Sequence, residues 1–165
     1  MNPDSLSEVY GKYSKQVYWY ALSLCGDRRL AEDITQDCFV KAMLSFSGAR
    51  GGIRTWLLCV CRNLWIDQLR KNRHRAEMPK GFEAADKAEG ILDGIVKREE
   101  LGHIFKAMDS LPGNMRELIM LDCIMEIPQQ EIAWILNSTH GAVRTLLCRT
   151  RRALKKKLEE NDDGF

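Results

Sequence analysis

The sequence has little that chelates or catalyses. Its three histidines, His74, His103 and His140, lie in separate segments with no paired-ligand spacing, which argues against a helical nuclease or metal enzyme. Six cysteines, Cys25, Cys38, Cys59, Cys61, Cys123 and Cys148, form no CxxC pair and no Cys/His finger. Cys59 and Cys61 stand two apart on an expected helix, so their side chains diverge by roughly 200° and are poorly placed to share a metal or a disulfide. Most of the six fall at apolar-periodic positions, where cysteine behaves as a small hydrophobe. No strand of consequence, internal repeat, signal peptide or bilayer-length apolar run is legible, so a reducing cytoplasm is the expected setting. No catalytic residue, metal or cofactor is expected.

An overall excess of one charge is also missing: the net charge is +2. Its distribution is uneven. Residues 1–50 carry six basic and six acidic groups, and residues 51–75 carry six basic and one acidic. Residues 76–137 carry six basic and twelve acidic, and residues 138–165 carry seven basic and four acidic, the acids lying at or beyond Glu159. Two basic blocks separated by an acidic stretch read as two footprints on a polyanion. Apolar residues make up 45% of the 165, enough for a packed core and against wholesale disorder.

What is present is helical periodicity. Ser5 to Glu8 reads as a capping box, and Leu6, Val9, Tyr10, Tyr13, Val17, Tyr20, Ala21 and Leu24 follow at helical spacing. Gly26 ends that helix and Asp27 can cap a second, which runs to about Leu44 with Ala31, Ile34, Cys38, Phe39 and Ala42 inward. A loop from Ser45 to Gly52 precedes a third helix, from near Ile53 to about His74, in which Trp56 and Trp65 are interleaved with Arg54, Arg62, Arg70 and Lys71. Periodicity fades over 76–96 and returns at Leu101, Ile104, Phe105 and Met108. Leu111-Pro112-Gly113 breaks it, and a further helix carries Met115, Leu118, Ile119 and Cys123. A short helix, Pro128–Leu136, a turn at Asn137 to Thr139 and a basic helix, His140 to Leu158, complete the chain. The expected fold is all-α: two small helical domains, 1–76 and 98–165, joined by a flexible linker, 77–97, the second domain a helix-turn-helix.

The basic helix buries Val143, Leu147, Thr150 and Leu154. It shows His140, Arg144, Cys148, Arg151 and Lys155 on the other side, flanked by Arg149, Arg152 and Lys156. Such a helix fits the major groove, where Arg can take a guanine edge in two hydrogen bonds and other cations grip phosphate. The third helix, with its aromatic rings and cations, suits unstacked bases and a single-strand backbone. An ordinary transcriptional regulator with a helical sensor half would share the helix-turn-helix. It has no need of the acidic and amide face of the second helix, nor of the basic third helix.

Three segments resemble a known family. Ala31 to Phe39 (AEDITQDCF) looks like the polymerase-binding signature of extracytoplasmic-function sigma factors. Thr55 to Asn63 (TWLLCVCRN), with Asp67 and Arg70, resembles their promoter-melting helix, and Glu131 to Ala133 through Val143, Arg144 and Arg149 resembles their C-terminal helix-turn-helix. The chain departs from the pattern at Cys61, Ala142 and Leu146, and in the pair Gly51-Gly52, which reads as loosening the preceding loop. The resemblance implies that Asp33, Gln36, Asp37 and Phe39 belong to a helix that docks on the clamp helices of core RNA polymerase. It implies that Ser47, Gly48 and Arg50 belong to a loop receiving a base flipped from the −10 element, beside a DNA surface of Arg62, Asn63, Asp67, Arg70 and Lys71. It implies that His140, Arg144, Thr145, Cys148, Arg149, Arg151, Arg152 and Lys156 face the −35 element. The implied partners are core RNA polymerase, promoter DNA and an anti-sigma factor, with no membrane insertion.

Overall fold

Residues 2–48, 51–72 and 98–162 are described in a computed structural model. The expected linker, 77–97, and Arg50 lie outside them. The described residues form helices and turns with no strand, as the periodicity requires.

Helix α1, Pro3–Cys25, starts two residues before the expected capping box. Asn2 is its cap: the Asn2 Oδ1 accepts from the Ser5 backbone N–H at 2.7 Å, and Pro3 fills the first turn, where a missing donor costs nothing. Gly26 closes α1 in the left-handed conformation, φ 69°, returning its N–H to the Leu22 carbonyl. Asp27 then caps α2, Arg28–Ser45, accepting from the backbone N–H groups of Arg29 and Leu30. Helix α3, Gly52–Lys71, opens at Gly51, which is also left-handed at φ 76°. These three helices pack through Val17, Tyr20, Ala21, Cys25, Ala31, Ile34, Cys38, Leu57 and Cys61, all buried. Alanine at 21, 31 and 42 lets the helix axes approach closely.

The C-terminal helices are α4, Arg98–Asp109, α5, Gly113–Ile119, α6, Gln129–Ile135, and α7, His140–Asp162. The helix expected to run from Met115 to Cys123 is interrupted: α5 passes at Met120–Ile124 into a π-helical turn, in which the Met125 N–H reaches back to the Met120 carbonyl. The wider turn leaves Cys123 exposed, where the regular helical spacing had grouped it with the apolar residues. The turn between α6 and α7 is closed by Asn137, at φ 51°, and by Thr139, whose Oγ1 accepts from the Ala142 N–H at 3.1 Å to cap α7.

The two helical halves share one apolar core. Helix α5 and the π-helical turn lie against α1, and α6 lies against α3. Helix α3 is therefore covered on a second side. This explains why Thr55, on no apolar stripe, is 1% exposed: its Oγ1 donates to Glu131 Oε1 of α6 at 3.1 Å.

Candidate polymerase-docking and nucleic-acid surfaces

Helix α2 presents one continuous outward face. Asp33, Gln36 and Asp37 are all exposed, as expected. Phe39 is not available to a partner. It is buried in the α1–α2 seam, its ring edge-on to Tyr10 with centroids 4.9 Å apart. The apolar part of the outward face is made instead by Val40, 50% exposed, and Leu44, 73% exposed, with Met43 beside them. Gln36, Val40 and Leu44 fall four apart and share a face with Asp33 and Asp37. That spacing was legible in the sequence. Helical spacing put Phe39 inward, where the structure has it, while the family resemblance put it on the docking helix.

On α3, Asn63, Asp67, Arg70 and Lys71 are exposed, and Ser47 and Gly48 are exposed in the preceding loop. Trp56 is half-buried, edge-on to Phe46 at 5.3 Å, and Trp65 is half-buried as well. Arg62 is engaged elsewhere. Its Nε donates to Glu117 Oε1 of α5 at 2.7 Å. The same carboxylate oxygen accepts from the Tyr20 hydroxyl of α1 at 2.5 Å. Glu117 is 7% exposed, a buried acid with no role in the sequence reading. The signal was there: one acid between Met115 and Leu118-Ile119 on an apolar stripe calls for a partner.

Burial, with the Glu117 carboxylate next in importance, pushes the Tyr20 hydroxyl well above the ordinary tyrosine value of 10.0. A group whose value is raised by folding contributes stability that is present below the unfolded-state value and is lost as pH rises through the folded one. We expect one of the four tyrosines to ionise only together with loss of structure above pH 10.0. Alkaline titration of tyrosinate absorbance with circular dichroism on the same samples checks this, and Tyr20→Phe should delete the late component. A late component that survives in Tyr20→Phe would show that Tyr20 is not the group that ionises on unfolding.

Helix α7 places His140, Arg144, Thr145, Cys148, Arg149, Arg151, Arg152 and Lys156 outward, all exposed, over a buried side of Val143, Leu147, Thr150 and Leu154. The Thr145 hydroxyl donates back to the Gly141 carbonyl at 3.0 Å. Arg151 is tied by Nη2 to Asp122 of the π-helical turn at 2.8 Å. The turn that leads into α7 borders a cleft of about 320 Å³ between α3 and α6, lined by Thr55, Trp56, Cys59, Ala133, Trp134, Asn137 and Ser138. Gly51 lies beside Thr55 and Glu131. A Cβ there would stand 2.6 Å from Glu131 Oε1 and 2.9 Å from Thr55 Oγ1, so this glycine serves a close approach and not only a loose loop. Among the described residues no group of His, Cys, Asp and Glu could hold a metal ion, and no helix is long and apolar enough to cross a membrane.

Comparison with known proteins matches both halves to one family. Residues 9–75 match Sigma-70 region 2, and residues 103–154 match Sigma-70, region 4. The chain is 28% identical over 153 residues to the ECF RNA polymerase sigma factor SigM of Bacillus subtilis (strain 168), covering 92% of this chain and 93% of that one. It is 28% identical over 169 residues to SigW of the same organism, covering 95% and 90%. Among solved structures it resembles the sigma factor RpoE in complex with the anti-sigma factor NepR from Bartonella quintana, with TM-score 0.70, 22% identity and coverage of 94% and 97%. It also resembles CnrH in complex with the cytosolic domain of CnrY, with TM-score 0.67, 22% identity and coverage of 96% and 90%.

Proposed function

As a member of the extracytoplasmic-function sigma factors of the sigma-70 family, this chain directs RNA polymerase to promoters for the initiation of transcription, and we propose that three helix faces divide that work. The outward face of α2, with Asp33, Gln36 and Asp37 leading into Val40 and Leu44, docks on the clamp helices of core polymerase. The loop at Ser47, Gly48 and Arg50, together with Arg62, Asn63, Asp67, Arg70 and Lys71 of α3, receives the melted −10 element. Helix α7 enters the major groove of the −35 element with His140, Arg144, Thr145, Cys148 and Arg149, and holds phosphate with Arg151, Arg152 and Lys156. Residues 1–76 and 98–165 act as two units joined by 77–97.

The observation that carries this reading is the outer face of α7. It is a run of exposed cations over an apolar underside, on the second helix of a helix-turn-helix. The chain supplies positioning and binding, and the polymerase supplies the chemistry, so the chain itself is not an enzyme and works in the cytoplasm. One fold neighbour is a sigma factor in complex with an anti-sigma factor, and an anti-sigma factor is proposed here as a partner of this chain.

Run-off transcription of genomic DNA by core polymerase, with and without the chain, tests the reading. New start sites that need both proteins are expected. Transcripts identical with and without the chain would refute it.

A further inference from the structure

The π-helical turn places an acid against the basic helix. Asp122 Oδ2 accepts from Arg151 Nη2 at 2.8 Å and from Arg151 Nε at 3.3 Å. The Cys123 thiol donates to the same carboxylate oxygen at 3.7 Å. The Asp122 side chain is 14% exposed and that of Arg151 55%. The anion therefore sits low beside α7, and the cation reaches past it into solvent. Among the described residues no ion pair holds Arg144, Arg149, Arg152 or Lys156, so Arg151 is singled out from the cations around it. A half-exposed pair of this kind contributes little to stability. What it fixes is direction. Nε and Nη2 face the acid, and the Nη1 edge of the planar fork is left toward solvent.

We propose that Asp122 is a positioning residue for the −35 contact: it holds the Arg151 guanidinium so that the open edge of the fork meets a DNA phosphate already oriented. The proposal rests on the reading of α7 as the −35 surface. An arginine that grips phosphate loses the freedom of a long side chain, and that loss weakens the contact. A tether made in the unbound chain removes part of it beforehand. The open edge still offers parallel N–H groups, the geometry that suits phosphate oxygens. Charge alone predicts the opposite sign. An acid beside the DNA backbone repels it, so removing the acid should tighten binding.

The test is fluorescence anisotropy of the full chain on a labelled DNA duplex of mixed sequence at low salt, since phosphate contacts are independent of sequence. Arg151→Ala should weaken binding roughly tenfold. Asp122→Asn should weaken it about threefold, within what ordering one long side chain costs, although it removes a negative charge. In the Arg151→Ala background the same Asp122→Asn change should weaken nothing, because the group it positions is gone. Arg151→Lys keeps the charge without the fork and should lose most of what Arg151→Ala loses. Arg151 is exposed, so this variant decides the matter alone if Asp122→Asn loses its helical circular dichroism. Tighter or unchanged binding by Asp122→Asn, an equal loss in both backgrounds, or an Arg151→Lys variant that binds as the original does would overturn the positioning role. So would an unweakened Arg151→Ala. In that case a loss in Lys156→Ala keeps α7 on the DNA, and no loss in either variant removes α7 from it.

Discussion

Val40→Asp combined with Leu44→Asp is expected to abolish binding to core polymerase, whereas Asp33→Ala with Gln36→Ala should only weaken it. Val40 and Leu44 are 50% and 73% exposed, whereas most other large aliphatic side chains among the described residues are buried or half-buried. Apolar side chains at the centre of a contact are the groups that lose most when changed, typically about 2 kcal/mol or more for an anchoring residue. A carboxylate there adds the cost of a charge desolvated without a partner. The combined loss should exceed about thirtyfold in affinity, since every 1.4 kcal/mol or so is a factor of ten. Asp33 and Gln36 lie on the polar part of the same face, where contacts set register and contribute less. Neither pair touches the core, so thermal stability should move by about 0.5 kcal/mol or less. Titration of labelled polymerase, with circular dichroism as the control for folding, gives the answer. A double aspartate variant that binds core as the original does would remove α2 from the docking site.

Arg144→Ala should cost roughly 1–3 kcal/mol at promoters with the preferred −35 base and relax the preference at one or two positions. Arg144 is exposed in the second turn of α7, next to the buried Val143 that seats the helix, so its direction is fixed by packing. Lys156 lies three turns farther along, where the helix has left the groove. Lys156→Ala should therefore weaken all promoters about equally and reduce the salt slope by about one counterion. Arg151 stands between these cases. Its guanidinium is held at 2.8 Å by Asp122, which must share it or release it for a phosphate. A library of −35 substitutions measured at two salt concentrations separates the outcomes. A uniform loss in Arg144→Ala would make Arg144 a phosphate contact and pass base reading to His140, Thr145 or Arg149.

The helices were legible because most are amphipathic and several carry a start signal. Asp27 caps α2 and Thr139 closes the turn before α7, and both are residues that favour such positions. The outer face of α7 was legible for a related reason: cations at helical spacing with no acid among them define a direction without any tertiary information. Glu117 and Thr55 were not legible in the same way. Their burial comes from one half of the chain covering the other, and nothing local in α3 or α5 announces that contact. The partner of Arg62, Glu117, was missed for the same reason. Phe39 failed differently: helical spacing placed it inward while the family signature suggested a contact, and the packing against Tyr10 decides for the core.

The π-helical turn at Met120–Ile124 sets the direction in which the chain leaves α5. A turn closed from residue i to i+5, as Met125 closes onto Met120, holds one residue more than the α-helical turn it replaces. It forms the C-terminal end of α5, ahead of the loop that leads to α6. Removing that residue would end α5 in a regular turn and rotate the point where the chain leaves it by about 100° about the helix axis. Glu117 lies before the turn; Asp122 lies within it, and Glu131 and α7 lie after it. The exit from α5, and with it the placing of Asp122 beside Arg151 of α7, therefore depends on a single surplus residue.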